Sequence, residues 1–131
     1  MNKRFPDREV PHAWLTRDLT IRREYEADPF CGTPSSLRFS HSMTKMMRQA
    51  TDPANLKKVP DTLPIAMFCG EDDSAGGFGK GPKLALENYK KYGKNVTLKL
   101  YPGARHEVLN ETNKEEVYGD ILSFIDSVCQ G

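Results

Sequence analysis

Two stretches of the chain carry a strand pattern, and both lie in its second half. Leu63-Pro-Ile-Ala-Met-Phe-Cys69 is a short, nearly continuous apolar run closed by Gly70, the pattern of a strand buried on both faces. Val96, Leu98 and Leu100 alternate with Thr97, Lys99 and Tyr101, which predicts a second strand with one more exposed face. Between them, Phe78 to Tyr92 carries Leu84, Leu86, Tyr89 and Tyr92 and stops at Gly93, a natural helix C-cap. Beyond the second strand, Asn113 and Glu116 have the spacing of a capping box. The final helix they open has Val117, Ile121, Phe124, Ile125 and Val128 as its buried stripe.

The first half has no strand pattern. Pro6 and Pro11, with charges between them, make residues 1–12 an irregular lead-in. Thr16 can cap a helix running to about Ala27 with Leu15, Leu19, Ile21 and Tyr25 on one face; Asp28-Pro29 ends it, since proline pushes its predecessor out of the α region. Thr33-Pro34 reads as a second cap-plus-proline start, after which Leu37, Phe39, Met43, Met46, Met47 and Ala50 recur at helical spacing as core positions. Asp52-Pro53 repeats the signal for a short helical turn near Leu56.

Residues 1–60 are therefore helix and loop, and residues 61–131 read strand, helix, strand, helix. A crossover of this length implies a parallel pair, with residues 14–57 packed as helices at the strands' carboxyl ends. The fold class is α/β. Two parallel strands are too few for a sheet covered on both faces, so one edge of the 65–68 strand is expected to lie bare.

Composition narrows the function without naming it. Charged residues make up 28% and the formal charge is +1, so the signs are mixed and no nucleic-acid partner is implied. The mild excess of lysine and arginine before Glu24 reads as a solvated face. Cys31, Cys69 and Cys129 are odd in number and widely spaced, which argues against a disulfide framework or a zinc site and suits a reducing compartment; Cys69 and Cys129 read as small buried apolar residues. No run approaches the roughly 20 apolar residues of a transmembrane segment, and no apolar leader follows Met1, so the expected location is cytoplasmic.

The chemistry gathers at the two strand ends. The first strand runs out into Gly70-Glu-Asp-Asp73, and the second into Tyr101-Pro-Gly-Ala-Arg-His-Glu107. In open α/β sheets functional groups collect beyond the carboxyl ends of the strands, so neighbouring parallel strands would bring this acidic trio to His106. A carboxylate on one imidazole nitrogen fixes the tautomer and leaves the other nitrogen free to take a hydroxyl proton. Which of Glu71, Asp72 and Asp73 bonds the ring stays open on these grounds, and an acidic strand-end turn can also be a solvated one. His12 and His41 lack such a context and read as structural or exposed. Gly76-Gly-Phe-Gly-Lys-Gly81 fails both G-x-x-x-x-G-K-[ST] and G-x-G-x-x-G and reads as a flexible loop entering a helix. No cofactor or metal is implied.

Leu63-Pro-Ile…Gly70-Glu-Asp-Asp73, Gly76-Gly-Phe-Gly-Lys-Gly81 and Leu98-Lys-Leu-Tyr-Pro-Gly-Ala-Arg-His-Glu-Val-Leu-Asn-Glu111 resemble the C-terminal part of the monoacylglycerol lipase/lysophospholipase group of α/β-hydrolases, also termed serine aminopeptidase-like or hydrolase-4. Asn2-Lys…Phe5, Trp14-Leu-Thr-Arg-Asp18 and Tyr25-Glu-Ala-Asp-Pro29 resemble the cap region of its bacterial lysophospholipase-like members. The Arg105-His106-Glu107…Asn110-Glu111 block is the most specific part of the likeness.

The resemblance implies a C-terminal fragment of the α/β-hydrolase fold, with 1–60 as a helical cap and linker and 61–131 as the part of the core that carries the acid and base. The group's G-x-x-D motif, laid on Gly70 to Asp73, makes Asp73 the catalytic acid and His106 the catalytic base. Ser74 stands where relatives usually have proline. The group's nucleophile sits on a G-x-S-x-G elbow, and no such pattern occurs in these residues.

The expected function is thus the acid-and-base part of a serine hydrolase acting on acyl esters or lipid-like substrates. Its serine would come from a preceding segment or a second chain. The alternatives are a non-catalytic remnant or interaction module, or one half of a split hydrolase; the expected partners are a missing N-terminal half or a second copy paired through the bare sheet edge. Ser36, Ser74 and Cys31 are in-chain nucleophiles that lack the elbow.

Overall fold

The computed structural model describes residues 2–129. Helices α1 (Leu19–Ala27), α2 (Leu37–Thr51) and α3 (Pro53–Leu56) precede strand β1 (Ile65–Gly70), followed by α4 (Lys80–Lys91), β2 (Val96–Tyr101) and α5 (Lys114–Cys129). The strands pair in parallel, Ile65 opposite Val96 through Gly70 opposite Tyr101. Among the described residues they form a two-stranded sheet.

Strand alternation assigns the helices to the two faces. Phe68, Lys99 and Tyr101 point one way and meet α5: Phe68 packs edge-on to Phe124, and Lys99 and Tyr101 both bond Asp120. Leu100 points the other way, toward Gly79 at the start of α4. Burial and the Asp120 contact push the Tyr101 phenol well above its ordinary range, so it stays a donor. Tyr101, Ala104 and Val117 form the core, with Phe68, Val108 and Ile121 packed around them. The core therefore lies directly beneath the segment that follows β2.

Several helix starts differ from expectation because a nearer side chain does the capping. Thr16 is buried, its hydroxyl donating to the Asn110 carbonyl at 2.8 Å. Asp18 caps α1 instead, accepting from Thr20 and Ile21 N–H. Helix α2 begins three residues later than the Thr33-Pro34 signal predicts, where Ser36 accepts from Phe39 N–H at 3.1 Å. Asp52-Pro53 caps α3 as expected, Asp52 accepting from Ala54 N–H. Helix α4 starts at Lys80, since Phe78 and Gly79 both have positive φ. The Asn113 and Glu116 side chains bond each other rather than the backbone.

Burial departs further from the pattern. Strand β1 is half-buried except at Gly70, not covered on both faces, because among the described residues a single strand neighbours it. Helix α2 is amphipathic, yet Leu37, Phe39, Met43, Met46 and Met47 are exposed rather than core. Ile125 and Val128 are exposed too, and Cys129 near the end of α5 is exposed where burial was expected. Just ahead of β2, the buried Lys94 ammonium bonds Asp61 and the Lys57 and Val59 carbonyls, which ties the segment leading into β1 to the start of β2.

Candidate active site

Strand β1 delivers the acidic turn, and the loop after β2 delivers His106. At the amino ends Ile65 N–H donates to Asn95; at the carboxyl ends Glu71 N–H donates to Tyr101 and Asp72 N–H to Ala104. The close approach at Gly70 makes this possible. A Cβ there would stand 2.1 Å from the Arg105 carbonyl oxygen and 2.3 Å from that of Ala104.

Asp73 Oδ2 lies 3.1 Å from His106 Nδ1. The Asp73 side chain is 13% exposed and the His106 ring 41% exposed, so the carboxylate is sheltered and the ring faces outward. Asp73 Oδ1 accepts from Ala75 N–H at 2.8 Å, and the Asp73 carbonyl accepts from Phe78 N–H at 2.7 Å. These bonds set the carboxylate's direction from its own turn. Glu71 and Asp72 are exposed and make no side-chain hydrogen bond to the ring. With Nδ1 facing a carboxylate, the neutral imidazole carries its proton there and leaves Nε2 as the lone-pair nitrogen.

Trp14 flanks the ring, its centroid 5.0 Å from that of His106. Its chain runs beside the histidine loop: His106 N–H donates to Trp14 and Glu107 N–H to Leu15. The basic residues before Glu24 are not all a solvated face. Arg22 is buried and pairs with Asp7 at 2.7 Å, and Arg17 pairs with the fully buried Glu111 at 2.8 Å. Arg105, next to the histidine, grips Asp7 through both terminal nitrogens. Sequence reasoning gave Asp7 no role.

The Arg105 hydrogen bond, then that of Arg22, pull Asp7 down from 3.8 to about 2 against the opposing effect of burial. A carboxylate lowered on folding stabilises the fold above its unfolded value, and that contribution fades as pH falls from about 4 toward 2. Asp7 is 29% exposed, so the discounted size is on the order of 1–2 kcal/mol. Urea titrations at pH 5 and pH 2.5 should show the chain losing this much more stability than Asp7→Asn. Equal losses would contradict the assignment.

The in-chain nucleophiles are otherwise engaged or unsuited. Ser36 caps α2, Ser74 Oγ is buried, and burial followed by Asp28 raises the Cys31 thiol above its ordinary value. Burial, then Asp73, likewise keeps Cys69 protonated. Among the described residues no three His, Cys, Asp or Glu side chains gather as a metal site. No helix among them is long and apolar enough to cross a membrane. A groove of about 710 Å³ lies between Met47 and Thr51 of α2 and the 75–88 segment, with Gly76, Pro82, Leu84 and Ala85 in its wall.

The sequence pattern of the hydrolase-4 family, described as serine aminopeptidase S33, matches residues 1–113. Among solved structures, the chain is similar to a lipase in its open form, with 32% identity and a TM-score of 0.85 over 96% of this chain and 41% of that one. It is also similar to a highly thermostable carboxyl esterase from Bacillus coagulans in complex with glycerol, with 31% identity and a TM-score of 0.87 over 97% of this chain and 42% of that one. The chain thus spans about two fifths of the length of the structures it matches. No curated protein matches it.

Proposed function

The chain belongs to the hydrolase-4, serine aminopeptidase S33 family of α/β-hydrolases, and from that premise we propose that Asp73 and His106 are the acid and base of a serine carboxylic ester hydrolase. The 3.1 Å contact between Asp73 Oδ2 and His106 Nδ1 at the carboxyl ends of paired parallel strands carries this reading. Both structural relatives are named for ester-cleaving enzymes, which favours an ester substrate. Within that class we place the enzyme nearest the lysophospholipases and monoacylglycerol lipases.

In this mechanism a serine hydroxyl attacks the ester carbonyl while His106 Nε2 takes its proton. The imidazolium then gives that proton to the departing alcohol, leaving an acyl-enzyme, and water repeats the sequence to release the carboxylic acid. Asp73 holds the ring in the Nδ1-protonated tautomer and stabilises the imidazolium throughout. No G-x-S-x-G occurs in residues 1–131, so the serine comes from protein outside them, either a connected segment or a second chain. Residues 1–60 act as cap and linker, and α2 with its exposed methionines borders the acyl side of the site.

The bare edge of β1 is where the rest of such a sheet would pair. Left open, it invites self-association, since unpaired strand edges and half-wet apolar side chains such as Ile65, Met67 and Phe68 are templates for contact. Each could forfeit about 1.5–3 kcal/mol of burial. Residues 1–131 alone should therefore self-associate, with light scattering that rises with concentration. A chain that stays monomeric at every concentration would contradict this.

The functional test reads the coding sequence upstream for an in-frame G-x-S-x-G within about 150 residues, roughly one further domain. The joined protein should cleave p-nitrophenyl butyrate and lose that activity on His106→Ala. Full activity in the variant would sink the assignment. Lack of activity in the joined protein with its elbow intact would favour a non-catalytic interaction module.

A further inference from the structure

The base sits on an irregular loop, and two carboxylates, the half-buried Asp7 and the fully buried Glu111, grip the residue beside it. Arg105 is 6% exposed; its guanidinium bonds Asp7 Oδ1 at 2.8 Å and Asp7 Oδ2 at 3.1 Å, bonds the Ala13 carbonyl, and stacks 4.3 Å over the Phe5 ring. Its backbone N–H donates to Glu111 Oε1 at 2.8 Å. Glu111 is fully buried and saturated: Oε1 also takes Arg17 N–H, and Oε2 takes Arg17 Nε and Thr112 N–H.

We propose that Asp7 and Glu111 are positioning residues for His106, one holding the Arg105 side chain and the other its backbone, so that the adjacent ring meets Asp73. The proposal rests on His106 being the base. The ring's own holds are slight, the Asp73 contact and the Trp14 face. The backbone must therefore set its place. Asp7 also matches the Arg105 charge with one of opposite sign. Without it a buried cation one residue from the imidazole would oppose the imidazolium that the reaction forms. The segment before α1 thus becomes part of the site although it touches no substrate. Charge-assisted, two-pronged bonds of this kind fix geometry as well as adding energy.

The test is ¹⁵N-histidine NMR on the full chain at mildly alkaline pH, reading which ring nitrogen of each histidine carries the proton. The His106→Ala spectrum identifies the His106 signals. The parent chain should show His106 in one tautomer, protonated at Nδ1, and Asp73→Asn should abolish that preference. Asp7→Asn and Glu111→Gln should each turn the His106 pattern into a tautomer average while His12 and His41 stay unchanged, and Asp7→Glu should restore it in part.

If Asp73→Asn changes the His106 signals but Asp7→Asn and Glu111→Gln do not, the positioning proposal is overturned and the acid–base pair stands. If Asp73→Asn changes nothing, the pair fails and the proposal with it. A lower urea midpoint in Asp7→Asn with unaltered His106 signals shows a merely structural role and also overturns it. Should Glu111→Gln fail to fold, Asp7→Asn decides alone, since Asp7 is partly solvated and the milder loss.

Discussion

Residues 1–131 on their own should hydrolyse p-nitrophenyl acetate no faster than their His106→Ala variant. An acid and a base lower the barrier only through a nucleophile whose proton they move, and the oxyanion donors that supply the largest single term are not among the groups gathered at this site. Ser36, Ser74 and Cys31 do not fill the gap, being a helix cap, a buried hydroxyl and a thiol held protonated. Joined to a nucleophile-bearing segment, the same residues should matter greatly. His106→Ala should then cost about 10⁶ in kcat, and Asp73→Asn about 10⁴ through loss of the correct tautomer. KM should move little, since neither group is required to hold the acyl chain. Turnover by residues 1–131 that vanishes on His106→Ala would revive an in-chain nucleophile. A loss under tenfold in the joined enzyme would remove Asp73 from the acid's role.

How far the sequence led can be read from these groups. The strand at Val96–Tyr101 was legible because alternation is a local signal, and the parallel pairing followed from the length of the intervening helix. The meeting of Asp73 and His106 was legible because each sits a fixed distance beyond a strand end. The choice of Asp73 over its two acidic neighbours was not readable from spacing and came from the family likeness. In the structure, the turn that bonds Asp73 through Ala75 and Phe78 makes that choice physically.

What stayed hidden depends on partners far apart in the chain. Asp7 and Arg105 lie 98 residues apart, and Thr16 and Asn110 lie 94 apart. No periodicity marks such pairs, so a buried ion pair looked like surface charge and a buried hydroxyl looked like a helix cap. The apolar faces of α2 and α5 misled in the opposite way. Amphipathicity says a face seeks cover, but whether cover is present depends on elements a local pattern does not contain.

Gly70→Ala should be the most damaging single-methyl change in the chain. The constraint is space. The new Cβ would lie 2.1 Å from one backbone oxygen and 2.3 Å from another, both in the loop that carries His106. Cβ contacts below 3.0 Å essentially do not occur, so the loop would have to retreat by about 0.9 Å, against the bonds that Asp72 N–H donates to Ala104 and Arg105 N–H donates to Glu111, which hold it in place. We expect a loss of about 3 kcal/mol or more, a large part of a stability that is about 5–15 kcal/mol even for complete domains. The same displacement would pull the ring from Asp73, so the Nδ1-protonated signature of His106 should vanish with it. Gly119→Ala is the matched control. Gly119 lies within α5 with nothing near its added Cβ, and replacing a helical glycine there should raise stability by about 0.5–1 kcal/mol while leaving His106 unchanged. Urea midpoints for the two variants should therefore move in opposite directions. A Gly70→Ala chain with parent-like midpoint and His106 signals would show that the two strand ends are not locked together as described.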